Sequence, residues 1–294
     1  MYRVPPALAL AGVLAVAVAA CSAAPRSAPA RHKPPAGYYL ALGDSLAVGV
    51  QPDVAGTSVE TRSGYADQLY ATLRRSHPGL RLVKLGCPGE TTVTMMKGGI
   101  CTYPGGSQLA AAASFLRAHR ARVSLVTIDI GANDADGCVT RLSFGNFASC
   151  MSRSVPQVTT NLTKILTRLR QAGPKAHIIA MSYYLPALAQ WRDGLIGKAI
   201  ARVSEMAIAG YNVLLNRVYT TYRVRVADVF GAFHTADFGQ QVTVPGFGTL
   251  PRNVAAICQW TWECAAPPRG PNQHANPTGY QVIATAILQA SGLA

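Results

Sequence analysis

Acidic side chains are scarce in this chain. There are 13 Asp and Glu against 27 Lys and Arg, and charged residues of both signs fill only 14% of 294 positions. With 49% of the residues apolar, such a composition excludes an acidic disordered chain, a coiled coil and a collagen-like repeat. Cysteine is sparse too. Seven in a chain of this length cannot make a disulfide-dense mini-protein, and the absence of any CxxC pair disfavours zinc. No internal repeat is evident. The apolar run Ala7–Ala20 is too short to cross a bilayer as an ordinary helix. What is present is length enough for a full hydrophobic core, a formal charge of +14, and an odd cysteine that must lack an intramolecular partner.

The amino terminus accounts for that cysteine. Arg3 precedes the apolar run, and the small residues Val18-Ala19-Ala20 lead into Cys21. This resembles a bacterial lipobox, in which the cysteine becomes the lipidated first residue of the mature protein. Residues 1–20 are therefore expected to be a signal peptide of lipoprotein type, and the protein to be extracytoplasmic, secreted or held at the cell membrane by Cys21. The Ala-, Pro- and Ser-rich residues 21–36 bury nothing and read as a tether. Removing residues 1–20 takes away one cation and no acid, leaving +13. The cations are scattered rather than interleaved with aromatics, so a nucleic-acid partner is not expected.

Residues 37–294 read as one domain in which apolar runs alternate with amphipathic stretches. Tyr38–Leu42, Arg81–Leu85, Val123–Ile130, His177–Met181 and Val224–Val229 are strand candidates. Helices are expected near Ser63–Ser76, Ser107–His119, Phe144–Gln171 and Trp191–Tyr219. A last one should run over Pro277–Gln289, with Asn276 as N-cap. The alternation argues for an α/β fold with a parallel sheet covered on both faces. Residues 231–275, rich in Gly, Pro and aromatics, break the pattern and read as a long loop region.

In open α/β sheets chemistry gathers at the carboxyl ends of strands. Gly43-Asp44-Ser45-Leu46 follows the first strand candidate, Gly86-Cys87-Pro88-Gly89 the second, and Gly131-Ala132-Asn133-Asp134 the third. His274 lies just ahead of the last helix. A serine on a glycine turn, backbone and amide donors for an oxyanion, and an imidazole base are the parts of an acyl-transfer site. Each is weak alone; four in order make a strong joint signal.

These blocks resemble those of the SGNH, or GDSL, hydrolases, and in particular the disulfide-containing secreted bacterial esterases and lipases. The resemblance implies a three-layer flavodoxin-like fold with a central parallel sheet of about five strands. It implies Ser45 as nucleophile, His274 as general base, and an oxyanion hole of the Ser45 and Gly89 N–H groups with Asn133. The implied function is hydrolysis of carboxylic esters, lipid or short acyl, by a monomer with no cofactor and no metal. The alternative is a non-catalytic surface lipoprotein that binds an acyl or glycan ligand.

The family commonly carries an aspartate three residues before the histidine, where this chain has Pro271. The expectation is that the Pro271 carbonyl holds the His274 Nδ1 proton, with Asp237 and Glu263 as rival carboxylates. Asp44 and Asp134 read as loop-holding groups, and Asp129 as a paired structural carboxylate. Trp260 and Trp262 either line an acyl pocket or simply pack. His32, His77, His119, His177 and His234 read as surface or packing residues. Spacing alone leaves the pairing of the six remaining cysteines open. The resembling esterases support the sequential pattern Cys87–Cys101, Cys138–Cys150 and Cys258–Cys264.

Overall fold

A computed structural model describes Met1 and residues 37–139 and 144–293, with the side chains of 136–153 left out. The expected signal peptide, tether and Cys21 lie outside the described residues. Residues 37–293 belong to one compact unit. No helix among the described residues is long and apolar enough to cross a membrane.

The chain opens with β1 (Tyr38–Gly43), the single turn α1 (Ser45–Val48) and two short strands, β2 (Gln51–Pro52) and β3 (Ser58–Val59). Then come α2 (Tyr65–Ser76), β4 (Arg81–Lys84), α3 (Thr92–Lys97), α4 (Gln108–Ala118), β5 (Val123–Asp129), α5 (Ala132–Val139) and α6 (Phe144–Ala172). The second half holds β6 (His177–Met181), a 3-10 turn (Pro186–Arg192), α7 (Gly194–Thr221), β7 (Arg225–Ala227) and α8 (Val229–Ala232). It closes with β8 (Gln241–Val244), β9 (Gly248–Pro251), α9 (Arg252–Trp260) and α10 (Pro277–Ser291).

Five strands form one parallel sheet in the order β4-β1-β5-β6-β7. Parallel neighbours need crossovers, and the helices between them supply these while covering the sheet. Consecutive residues Tyr39, Leu40, Ala41 and Leu42 of β1 are all 0% exposed, so both faces of the central strand are covered. That is why β1 and β5 (VSLVTID) show no regular apolar–polar alternation: all of β5 but Ser124 is buried.

The five expected strands stand within two residues of their observed ends. The N-cap of α10 is also as expected: the Asn276 side chain accepts from Gly279 N and Pro277 takes the first helical position. Two regions differ. The helix expected over Trp191–Tyr219 breaks at Asp193 and Gly194, whose positive φ of 74° separates the 3-10 turn from α7. The region expected to be a loop over 231–275 contains the antiparallel pair β8–β9 and the helix α9. Short elements edged by Gly and Pro bury their apolar residues, Val244, Leu250, Val254 and Ile257, only in the tertiary context.

Candidate active site

The end of β1 shapes the first part of the site. Gly43 has φ of +130°, and a Cβ there would sit 2.1 Å from the Asp129 carbonyl oxygen, so only glycine lets the strand turn. Asp44 then caps α1, its Oδ1 accepting from Leu46 N at 3.0 Å. Ser45 is thereby the first residue of a helix, where a backbone N–H has no intrahelical acceptor. Beneath it, the fully buried Asp129 accepts from the Tyr65 hydroxyl and, at 3.3 Å, from Asp44 N. Burial first, and the nearby Asp44 charge second, hold the Asp129 carboxyl well above its ordinary range. Asp44 and Asp129 are thus built into the turn itself.

Gly89 and Asn133 come from the ends of β4 and β5. Gly89 has φ of +79°, and a Cβ on it would meet nothing within 4 Å, so its backbone faces open space. Neither Ser45 N–H nor Gly89 N–H donates to an acceptor among the described residues. The Asn133 side chain donates through Nδ2 to Glu90 O at 2.8 Å, which orients the amide and leaves its second N–H available. Asp134 accepts from Thr92 N at 2.8 Å and Thr92 Oγ1 at 2.6 Å, tying α5 to α3. It holds the loop. Gln108 is a residue that sequence reasoning missed. Its Oε1 accepts from Gly43 N at 2.8 Å, while Nε2 donates to Gly43 O at 2.9 Å and to Glu90 Oε2 at 3.0 Å. One side chain thus joins the serine turn to the Gly89 turn, and no local motif announces it.

His274 lies over the same sheet edge. Tyr184, just after β6, donates to Gln273 O at 3.0 Å. Asn272 Nδ2 donates to Ser58 Oγ at 3.1 Å, and Trp262 Nε1 to Gln51 Oε1 at 3.3 Å, both in the segment that follows α1. Among the described residues no hydrogen bond joins His274 to Ser45. The Ser45 Oγ instead lies 3.5 Å from Asp44 Oδ1. Burial lowers the His274 imidazole to about 4, so it is neutral at neutral pH.

The group that holds His274 is not the one expected. Nδ1 meets the side-chain Oδ1 of Asn272 at 2.8 Å, rather than the Pro271 carbonyl. The reason is local: Asn272 Oδ1 also accepts from His274 N at 3.1 Å, an Asx turn that brings the same oxygen under the ring. Because a backbone N–H can only donate, that bond fixes which end of the amide is oxygen. Nδ1 must therefore carry its proton, and Nε2 keeps its lone pair.

The rival carboxylates are placed otherwise. Asp237 accepts from Gly239 N and Gln240 N and pairs with Arg252 at 3.9 Å. Glu263, raised by burial, makes no hydrogen bond to His274. Trp260 packs edge-on against Phe233 with ring centroids 5.4 Å apart, which is ordinary packing. Cys87 and Cys101 are joined at 2.00 Å, and Cys258 and Cys264 at 1.96 Å. These bridges close the loop that carries Gly89 and the loop ahead of His274. The expected Cys138–Cys150 pair lies outside the described side chains. Among the described residues no group of three or more His, Cys, Asp or Glu is arranged to hold a metal ion.

Comparison with known proteins bears on the family and the fold. The profile of the GDSL-like lipase/acylhydrolase family matches residues 41–282. An extracellular lipase from Streptomyces rimosus superposes with a TM-score of 0.58 at 18% identity, covering 87% of this chain and 100% of its own. Phospholipase A1 from Streptomyces albidoflavus gives 0.54 at 19% identity, over 87% and 99%. An acetylxylan esterase from Geobacillus stearothermophilus gives 0.50 at 16% identity, over 88% and 95%. At these identities the likeness is one of fold. No curated protein matches the chain.

Proposed function

The chain belongs to the GDSL-like lipase/acylhydrolase family, and on that premise we propose that it is an extracytoplasmic serine esterase working through Ser45, His274 and Asn272. It is an ester hydrolase by family; the residue roles are our reading. His274 Nε2 takes the proton from Ser45 Oγ as Oγ bonds to the ester carbonyl carbon. The negative charge that develops on the carbonyl oxygen is met by the N–H groups of Ser45 and Gly89 and by Asn133 Nδ2. Each such pre-aimed donor is typically worth about 10²–10³ in rate. Collapse breaks the bond to the alkoxy oxygen, and the imidazolium gives its proton to the departing alcohol. Water repeats the sequence on the acyl-enzyme: His274 takes its proton, hydroxide oxygen bonds to the acyl carbon, and Oγ leaves with the proton returned.

One observation carries this reading: Nδ1 of His274 is hydrogen-bonded at 2.8 Å to an oxygen whose identity a backbone N–H fixes. That contact leaves Nε2 as a base, and burial keeps the ring unprotonated at neutral pH. Asn272 thus takes the place that a carboxylate holds in a Ser-His-Asp triad, and it orients the ring without a formal charge. The substrate class is a carboxylic ester, lipid or short acyl. The two cystine bridges support an oxidising compartment. We assign Cys21 as the lipid attachment point and residues 21–36 as its tether, with the domain acting as a monomer.

The test is labelling with a fluorophosphonate together with hydrolysis of an aryl-ester series of increasing acyl length. Labelling and turnover should both vanish in Ser45→Ala and in His274→Ala. Correctly oxidised wild type that neither labels nor turns over any ester would instead favour a non-catalytic acyl or glycan binder.

A further inference from the structure

The sheet edge opposite the ester site carries a second concentration of polar side chains. His177 opens β6 and Arg225 opens β7, and the turns that enter these strands come from α6 and α7. Between the turns lies an open cavity of about 520 Å³ with Arg170, Lys175, His177, Arg223 and Arg225 in its lining. Among the described residues no carboxylate lines it. The ion pairs found among the described residues lie elsewhere, at Lys84–Asp67 and Arg252–Asp237.

Two of the cations are held as part of the frame. The Arg170 guanidinium donates to the carbonyls of Tyr222 at 3.0 Å, Ala176 at 2.7 Å and Arg223 at 2.7 Å. Arg225 Nη1 donates to Ser291 O at 3.1 Å. Such bonds satisfy N–H groups but leave the charge without a counter-ion among the described residues. Lys175 and Arg223 are exposed, and their side chains make no hydrogen bond or ion pair among the described residues. The His177 Nε2 atom is buried with no hydrogen-bond partner. The groups sense one another. After burial, the charges of Arg225 and Arg170 lower His177, and that of Arg223 lowers Arg170. Folding has gathered like charges around a space large enough for a ligand, and among the described residues no carboxylate lines it.

We propose that this cavity is a binding site for a phosphate-type oxyanion, separate from the ester site. A phosphate group carries charge to offset several cations at once, and its oxygens accept from donors converging from different directions. Arginine forks suit that geometry, with lysine adding a mobile point charge. Lys175 and Arg223 would close on the anion, and Arg170 and Arg225 would set the field. The same chemistry is offered by a soluble phosphate ester and by a phospholipid headgroup.

The experiment uses the full chain and compares inorganic phosphate with sodium chloride at matched ionic strength. Phosphate should give a saturable rise in Tm of roughly 3 °C or more, as expected for a ligand well above its Kd. The double variant Lys175→Gln, Arg223→Gln changes two exposed side chains without partners, so it should fold and lose the rise. Ser45→Ala should keep it. A second arm, on chains carrying Cys21→Ser so that no lipid anchor contributes, measures co-sedimentation with vesicles of phosphatidylcholine alone or mixed with phosphatidylglycerol. Binding to the mixed vesicles that the double variant lacks assigns a headgroup; a phosphate response without it assigns a soluble phosphate ester. The proposal is overturned if phosphate matches chloride and the double variant binds vesicles as wild type does. It is equally overturned if the double variant keeps the phosphate response.

Discussion

Replacing Asn272 isolates the contact on which the His274 mechanism depends. In the resting protein the ring is neutral, and its Nδ1–H donates to Asn272 Oδ1 over 2.8 Å. During attack the ring becomes an imidazolium and the same bond becomes charge-assisted. A neutral hydrogen bond contributes about 1 kcal/mol net, and one to a charged group about 1.5–3 kcal/mol. The difference, about 0.5–2 kcal/mol, exists only once charge develops. It should therefore appear in kcat, as a loss of roughly 2–30-fold in Asn272→Ala with KM unchanged. Asn272→Ser separates orientation from folding. Its hydroxyl can still accept from His274 N–H as a short turn-forming group, but it does not reach Nδ1. Its kcat should fall as in the alanine variant while its Tm stays near wild type. Asn272→Asp places an opposite charge beside the ring, which favours the imidazolium. The acid limb of kcat/KM should then move upward from about 4, with activity at neutral pH retained. The assay is aryl-ester hydrolysis across pH 3.5–8, with folding checked by circular dichroism at each pH. A kcat within about twofold of wild type for both Asn272→Ala and Asn272→Ser, with an unmoved acid limb in Asn272→Asp, would refute the orienting role. If Ser45→Ala and His274→Ala remain inactive in that case, the serine mechanism survives without it.

Other outcomes follow from the same geometry. Because burial lowers His274 to about 4, wild-type kcat/KM should hold well below pH 6 and fall only toward pH 4; a limb near 6.5 would mean a solvated ring. Gly43→Ala would force a Cβ to within 2.1 Å of Asp129 O at a positive φ, and should cost several kcal/mol in urea denaturation or prevent folding. For Asp129 the folded carboxyl is raised, so its stabilising share is full below the unfolded value near 4 and declines as pH rises through the folded value. Asp129→Asn should therefore gain stability relative to wild type between pH 5 and pH 8, and equal pH dependence in the two proteins would contradict this. Removing the Cys87–Cys101 bridge with a paired serine substitution opens a loop spanning 14 positions and should cost about 3 kcal/mol, together with lower kcat because Gly89 lies within it.

The site was legible in the sequence to the extent that it is local. Ser45, Gly89 and Asn133 each follow a strand within a few residues, and the central strands β1 and β5 are rich in apolar residues because a parallel sheet buries both faces. The Asn276-Pro277 helix start is likewise a matter of neighbouring residues. What escaped depends on contacts between distant residues or on loop conformation. Gln108 reaches Gly43 across 65 positions, and Tyr65 reaches Asp129 across 64, with no periodicity to mark either. α9 and the β8–β9 pair are too short to be told from loop by pattern alone, and they form because the domain covers their apolar side chains. The basic cavity joins two turns whose cations look, in sequence, like ordinary surface charge.

Asn272 shows the boundary most clearly. From the sequence, the missing aspartate left a histidine in need of an acceptor, and a carbonyl was the nearest candidate. The acceptor is set by an Asx turn whose backbone is pinned to Trp262, with Asn272 N donating to Trp262 O at 3.2 Å. Sequence alone was enough to suggest the chemistry we propose, from a serine, a glycine and an asparagine after parallel strands and a histidine ahead of the last helix, because those residue types and glycine turns are properties of short segments. Tertiary structure decided which atom orients the base and where the unpaired cations meet, because both depend on chain segments that only folding brings together.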